Sequence, residues 1–217
     1  MEETLKESLT QLFDESDERN FTQSVDVVVT LRDIDLNDQE QQVEFYARLP
    51  QGLGEHRKIA ALVGPELKET AEGVVDTIVE QSDFEDYQQD EKMAKKLAKN
   101  HAFFIAQADI MPQVASTFGK VLGPRGKMPN PQLGSVLPGS GKVKPVYERL
   151  QNQVRIEAKD SPMIQAKVGN EDMDEEDLIE NISELYDQIE SNLPRRKSNI
   201  KDFMIKLTMS KPVTVDV

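Results

Sequence analysis

Two styles of apolar patterning alternate along this chain of 217 residues. They predict an α+β domain, discontinuous in sequence, with an inserted α/β domain of three-layer, Rossmann-like build. Towards both ends, hydrophobic residues alternate with polar ones or recur at helical spacing, the signature of half-buried strands and amphipathic helices. In the middle they form short continuous runs between helical stretches, as parallel strands covered on both faces do. The style changes at Pro50-Gln-Gly-Leu-Gly54 and reverts near Gln153. The expected boundaries are therefore 1–53 with 153–217 for the first domain and 54–152 for the insert, with hinges at Gly52, Gly54 and Gln153.

Leu5, Leu9, Leu12 and Phe13 recur at helical spacing within Glu2–Asp17, which predicts a first amphipathic helix. Val25, Val27, Val29 and Leu31 alternate with Asp26, Val28 and Thr30 in a β-branched strand. A polar turn over Asp33–Gln42 leads to a second strand, Val43–Leu49, expected to pair with the first. The apolar runs Ile59–Val63, Val74–Val79 and Ala102–Ala106 supply the parallel strands, with helices at Glu66–Ala71 and Asp90–Lys99. Phe118–Tyr147 reads as one basic loop rich in glycine and proline. Alternation returns at 154–157 and 163–168. A helix over Glu175–Asn192 follows, with Leu178, Ile182, Leu185 and Ile189 on one face. Its acidic first turn suits the positive end of the helix dipole. A strand at Phe203–Leu207 and a tail, Val213–Val217, close the chain.

Composition bounds the function. Forty acidic against 26 basic residues give a net charge of −14, yet the charge is sorted by region. Phe118–Tyr147 holds five basic residues and no acid, and the stretch from Ser191 onward carries +4. Segregation of this kind points to an anionic partner. The abundance of carboxylates also fits a halophilic host, where concentrated salt screens their repulsion. With no cysteine, disulfides and thiolate metal sites are excluded. His56 and His101 lack metal-motif spacing, and no run approaches a membrane span, so no metal, cofactor or membrane partner is expected and the location is cytoplasmic.

Two loops invite chemical readings. Leu137-Pro-Gly-Ser-Gly-Lys-Val143 resembles a phosphate-cradling loop, but Val136 stands where its first glycine is due and Val143 where Ser or Thr must reach magnesium. A phosphate- or nucleotide-handling α/β enzyme using Gly139–Lys142 is thus the alternative reading. The acidic helix at 174–192 offers a third, a protein-interaction module. Gly123-Pro-Arg-Gly-Lys-Met-Pro-Asn-Pro131 has a heavily specified backbone. Its plainer reading is a rigid connector, and its functional reading a phosphate contact through Arg125 and Lys127.

The stretch Phe118-Gly-Lys-Val-Leu-Gly-Pro-Arg-Gly-Lys-Met-Pro-Asn-Pro-Gln-Leu-Gly134 resembles the signature of the ribosomal protein L-one family, the large-subunit proteins of the mobile stalk beside the tRNA exit site. Asn20-Phe-Thr-Gln-Ser-Val-Asp26, Leu49-Pro-Gln-Gly52, Lys167-Val-Gly169 and Leu207-Thr-Met-Ser210 follow in the family's order, and the likeness is to archaeal members. The resemblance implies a non-enzymatic RNA-binding protein that grips large-subunit rRNA at the stalk junction. It further implies repression of translation through the protein's own mRNA leader, and contact with exit-site tRNA. Away from the ribosome a monomer is expected. The family's RNA surface corresponds to Phe21, Ser24 and Asp26 on one side and Thr208, Met209 and Ser210 on the other. If strands 25–31 and 203–207 are antiparallel neighbours, these motifs meet in one patch. Lys167 and Lys201, near strand ends, are the expected phosphate contacts. The family commonly carries glycine where Ser210 stands, so this serine either keeps a negative φ or adds a hydroxyl contact.

Overall fold

The computed structural model describes residues 2–38 and 41–216. In chain order the elements are α1 (Glu2–Asp14), β1 (Ser24–Leu31), β2 (Val43–Arg48), β3 (Ile59–Val63), α2 (Pro65–Ala71), β4 (Thr77–Glu80), α3 (Phe84–Gln89), α4 (Glu91–Asn100) and β5 (Phe103–Gln107). Then come α5 (Met111–Leu122), β6 (Val136–Leu137), α6 (Val143–Gln151), β7 (Gln153–Ala158), β8 (Met163–Asn170), α7 (Glu175–Asn192), β9 (Ile200–Leu207) and β10 (Val213–Thr214). The protein is mixed α/β, with antiparallel sheets and one parallel sheet. Contacts divide it into two compact units, one holding the chain up to Glu55 and from Asn152 on, the other His56–Gln151. No helix among the described residues is long and apolar enough to cross a membrane.

In the first unit four antiparallel strands lie in the order β10-β9-β1-β8. Val25, Val27 and Val29 of β1 are fully buried and join Leu5, Leu9 and Leu12 of α1 and Ile182, Leu185 and Ile189 of α7 in one core. Each such side chain contributes about 1.5–3 kcal/mol on burial. The intervening Asp26 and Thr30 stay partly exposed on the other face.

The second strand does not pair with the first. Both edges of β1 are taken, by β8 and β9, and β2 pairs instead with β7, from Val43 opposite Ala158 to Arg48 opposite Gln153. A hairpin between β1 and β2 would need a short turn, whereas more than ten residues separate them. The strand that leaves for the second unit is thus paired with the strand that returns from it, and Leu49 N–H donates to Asn152 O at 2.8 Å just past the last rung. Gln153 accordingly forms the last rung of this ladder.

Gly52 and Gly54 adopt φ of +67° and +69°, a conformation that favours glycine. They are held from within the first unit. Buried Asn181 of α7 donates to Gly52 O at 2.7 Å and Val168 O at 2.9 Å and accepts Gln51 N–H at 3.0 Å. Asn170 donates to Gly54 O at 3.1 Å.

The second unit has a parallel sheet in the order β4-β3-β5-β6, and every residue of β3 is buried. The strand expected at Val74–Val79 starts later, at Thr77, because α2 ends in a turn around Gly73, φ +72°. The stretch 118–147 is not a single loop. Phe118, Val121 and Leu122 are buried as the last turns of α5, and the stretch ends in α6. Pro112 at the start of α5 is a helix-opening signal, and Gly119 in its interior conceals the helix from a composition-based reading.

On β2 and β7, Glu44 pairs with Lys159 and with Arg155 at 2.9 Å. The Lys159 ammonium, with help from Arg155, holds the Glu44 carboxyl below its ordinary range against an opposing effect of burial. A depressed carboxylate stabilises the fold above its unfolded pKa and loses that contribution as pH falls through the lower folded one. Between pH 5 and pH 3 the melting temperature should therefore fall more steeply in the wild type than in Glu44→Gln. The excess should be only about 1–2 °C, because the pair is solvent-screened; parallel pH–melting curves for the two proteins would refute the assignment.

Candidate nucleic-acid interface

The β1–β9 register sets the site. Val25 lies opposite Leu207, so the residues just before β1 and just after β9 meet, as neighbouring ends of antiparallel strands must. Thr208 Oγ1 accepts the Ser24 N–H at 2.9 Å and lies 3.0 Å from Ser24 Oγ, and Thr208 N–H donates to Ser24 O at 3.1 Å. Ser24 Oγ reaches Asp26 Oδ2 at 3.3 Å. The result is a continuous row of hydroxyl and carboxylate groups. Phe21 (50% exposed) and Met209 (59%) stand beside it as two large apolar side chains open to solvent.

Buried Gln23 holds this row in place. Its Oε1 accepts Met209 N–H at 3.1 Å, while its own N–H donates to Glu171 Oε1 at 2.7 Å and its amide nitrogen to Glu171 Oε2 at 3.3 Å. One residue earlier, Thr22 Oγ1 donates to Asp172 at 3.0 Å. The turn after β9 is closed from inside by Lys206, whose ammonium donates to the carbonyls of Leu207 (2.7 Å) and Thr208 (3.1 Å). Ser210 closes it too: its hydroxyl accepts Leu207 N–H at 2.8 Å and donates to Lys211 O at 2.9 Å. Ser210 is not among the residues of positive φ. The serine therefore both avoids the glycine conformation and spends its hydroxyl on the turn. Beside the patch lies a cavity of about 410 Å³, lined by Leu12, Met209, Ser210 and Lys211 among others.

In the strand register Asp26 lies opposite Lys167 on β8 and Lys206 on β9. Lys167 also forms an ion pair with Glu55 at 2.8 Å.

Other expected contacts fall elsewhere. Lys201 lies at the opposite end of β9, in a bulge where Thr30 pairs with Asp202 and Leu31 with Ile200. In the second unit the Lys127 ammonium donates to Ala98 O (2.8 Å) and His101 O (2.7 Å), closing the end of α4, and burial pushes its pKa down. Lys127 is thus a structural cap rather than an open phosphate contact. Arg125 donates through Nη1 to Val121 O at 2.7 Å, leaving the rest of its fork free of intramolecular bonds. Sequence reading missed Gln23, Glu171 and Lys206. Their partners are set by tertiary contact, which leaves no local signal.

The glycine loop at 138–142 does join a parallel strand, β6, to a helix, α6. Yet the Glu66 carboxylate packs on Gly139 so closely that a β-carbon there would collide with it. At the neighbouring strand end, Gly64 N–H is already taken by Gln107 Oε1 at 3.0 Å. A carboxylate in the cradle repels phosphate, and an occupied N–H cannot bind it. Both ring nitrogens of buried His101 are hydrogen-bonded, to Leu97 O and Thr77 Oγ1 at 2.8 Å each.

An ordered hydroxyl row beside exposed aromatic and thioether groups is a surface suited to binding. Residues 10–211 match the model of the Ribosomal protein L1p/L10e family, and the chain belongs to that family. It is similar to the large ribosomal subunit protein uL1 of Methanosphaera stadtmanae, 39% identical over 215 residues and 99% of both chains. It is likewise similar to those of Methanothermococcus thermolithotrophicus (39% over 198 residues, 91% of both chains) and Methanocaldococcus jannaschii (37% over 214 residues, 97% of this chain and 95% of that one).

Replacing Gln23 by Leu keeps the side-chain bulk but strands the Met209 N–H and removes the amide bond to Glu171 Oε2, while the backbone bond to Glu171 Oε1 stays. Urea denaturation should show a loss of about 1–3 kcal/mol. A loss below about 0.5 kcal/mol would mean that water replaces the amide without cost and that Gln23 does not organise the patch.

Proposed function

We propose that this non-enzymatic, cytoplasmic, ribosome-associated protein binds large-subunit rRNA at the stalk junction through the surface around Ser24 and Thr208. The observation that carries this reading is the direct Ser24–Thr208 contact across β1 and β9, bonds that join residues 184 apart in sequence. Proteins read RNA through 2′-hydroxyls, shape and stacking, because side chains cannot enter its deep major groove. Ser24 and Thr208 offer hydroxyls to ribose, and Asp26 accepts from a 2′-OH while Lys167 and Lys206 offset its charge. Phe21 and Met209 offer apolar faces to unstacked bases. Ser210 acts by fixing the turn that presents Thr208 and Met209.

In this reading residues 1–53 and 153–217 form the RNA-binding α+β domain and 54–152 an inserted α/β domain. The hinge lies where Gly52 and Gly54 leave the first unit and the chain returns just before Gln153. Arg125 supplies a weaker contact to rRNA or exit-site tRNA. The same first-domain surface binds the protein's own mRNA leader and represses its translation, and the protein is a monomer outside the ribosome.

Thr208→Ala removes an acceptor for the Ser24 N–H and a hydroxyl offered to RNA. It should weaken binding to an rRNA fragment carrying the stalk junction by about 1–3 kcal/mol, measured at matched salt against a scrambled RNA of equal length. An unchanged dissociation constant would remove Thr208 from the site.

The surplus of 14 negative charges suits a salty cytoplasm, in which self-repulsion is screened. Dialysis from molar to low-millimolar KCl should then erode the far-UV helical signal; a spectrum that holds throughout would refute the salt requirement.

A further inference from the structure

The end of β9 remote from Thr208 carries a second constellation that the rRNA surface does not use. A cavity of about 310 Å³ lies there, lined by Arg32, Tyr186, Lys197, Lys201, Asp202 and Asp216 and floored by apolar groups such as Phe203. Tyr186 is 2% exposed and stacks edge-on against Phe203, with ring centroids 5.1 Å apart. Its hydroxyl is buried and makes no hydrogen bond among the described residues. A buried donor left without a partner is costly, so it marks a place where a ligand is expected to complete the bonding. Burial and the nearby carboxylates of Glu190 and Asp187 push the phenol pKa up, which keeps it a donor.

The cations around it are available. Lys197 has no carboxylate or carbonyl partner for its ammonium among the described residues, and the nearest carboxylate to Lys201 is Asp202 at 3.9 Å. Arg32 is oriented by a single bond from Nε to Ser198 O at 2.9 Å, which leaves both terminal nitrogens to point elsewhere. Of the two carboxylates, Asp202 already accepts from Thr30 Oγ1 at 2.7 Å, and Asp216 is exposed. The loop that presents these groups is fixed, not loose. Asn199, 1% exposed, donates to Arg32 O (2.9 Å) and Asp33 O (3.3 Å) and accepts Arg195 N–H (2.7 Å). Asp33 and Arg196, the non-glycine residues of positive φ among those described, both lie in the segments that Asn199 ties together. Backbone held in such conformations tends to gather where a ligand is clamped.

Several donors from different directions suit a tetrahedral oxyanion, and a guanidinium fork beside two ammonium groups suits phosphate in particular. We propose that Arg32, Lys197 and Lys201, which line one cavity with Tyr186, form a second phosphate-binding site for the same RNA, about 23 Å from Thr208 along the seven residue steps of β9. The RNA as source rests on the rRNA-binding reading above; the site's chemistry does not. The bound RNA spans the strand, its bases and riboses read at the Thr208 end and one backbone phosphate held at the Lys201 end.

Two measurements test this, on the full chain. The first is thermal unfolding against inorganic phosphate at constant ionic strength, for wild type, Tyr186→Phe and the double variant Lys197→Ala/Lys201→Ala. A saturable rise of melting temperature in the wild type at low millimolar phosphate, absent from both variants, supports the site. Identical curves for the three proteins overturn it, since the general salting effect of phosphate acts on all alike. Tyr186→Phe should melt no lower than wild type without phosphate, because it removes an unsatisfied buried hydroxyl. The second is the salt dependence of rRNA-fragment binding. Losing this one phosphate contact should flatten the log–log slope by about 0.7–0.9 in the double variant, while Thr208→Ala weakens binding with the slope intact. A phosphate-dependent melting shift with an unchanged slope would overturn the RNA assignment and leave a site for free phosphate. If the wild type does not bind the rRNA fragment at all, the rRNA reading fails and with it the RNA source, while the melting curves still decide whether phosphate binds.

Discussion

The pairing of β1 with β9 is the constraint on which the rest of the first unit depends. It joins the beginning of the chain to its end, and from Val25 opposite Leu207 to Thr30 opposite Asp202 it is a regular antiparallel ladder. A one-residue slip would turn Val25, Val27 and Val29 out of the core and send Asp26 into it. The register is therefore enforced by hydrophobic burial along the whole strand, and the Ser24–Thr208 contact inherits that precision. The surface is positioned by the core, not by its own weak polar contacts.

A second ladder, β2 with β7, closes the first unit where the chain leaves it and returns. β2 and β7 carry the chain out and back, and they pair with each other all the way to Arg48 opposite Gln153. The first unit consequently closes its own hydrogen bonding before the chain leaves it. Asn181 and Asn170 then tie down Gly52 and Gly54 from the first unit's side.

Much of this was legible in the sequence where local pattern and global fold agree. The alternation in Val25–Leu31, the single apolar face of α7 and the Pro50–Gly54 break each depend on near neighbours, and each corresponds to an observed element or turn. Pairing partners are not local. Nothing in Val43–Arg48 says that its partner begins at Gln153, and the shorter sequence distance to β1 pointed the wrong way. Lys127 misled for a related reason: a basic residue in an acid-free loop looks solvated until the carbonyl ends of α4 are seen beside it. Lys201 lies at the far end of β9 from Thr208, since proximity to a strand end does not say which end. Gln23, a polar residue among others, discloses its role only once Glu171 and Met209 converge on it.

A chain with this surplus of carboxylates is a poor electrostatic match for RNA, and the RNA-binding role proposed for the Thr208 surface has to meet that mismatch. Beyond a Debye length, about 8 Å at physiological ionic strength and less in stronger salt, the acidic bulk of the protein is screened from the patch. Within that radius Asp26 lies opposite a lysine on each neighbouring strand, and the Glu171 and Asp172 carboxylates are turned to Gln23 and Thr22, which leaves hydroxyls, peptide groups and apolar side chains as much of the remaining surface. Affinity must then come from fit and hydrogen bonding, which salt weakens far less than phosphate contacts. Fit of that kind requires that the groups be ordered beforehand, because every rotor frozen at binding costs about 0.5–1.5 kcal/mol. Ser24 and Thr208 are locked by each other, the Met209 backbone by Gln23, and the Thr208–Ser210 turn by Lys206 and Ser210, so that the ordering cost is met when the protein folds and not when the RNA arrives.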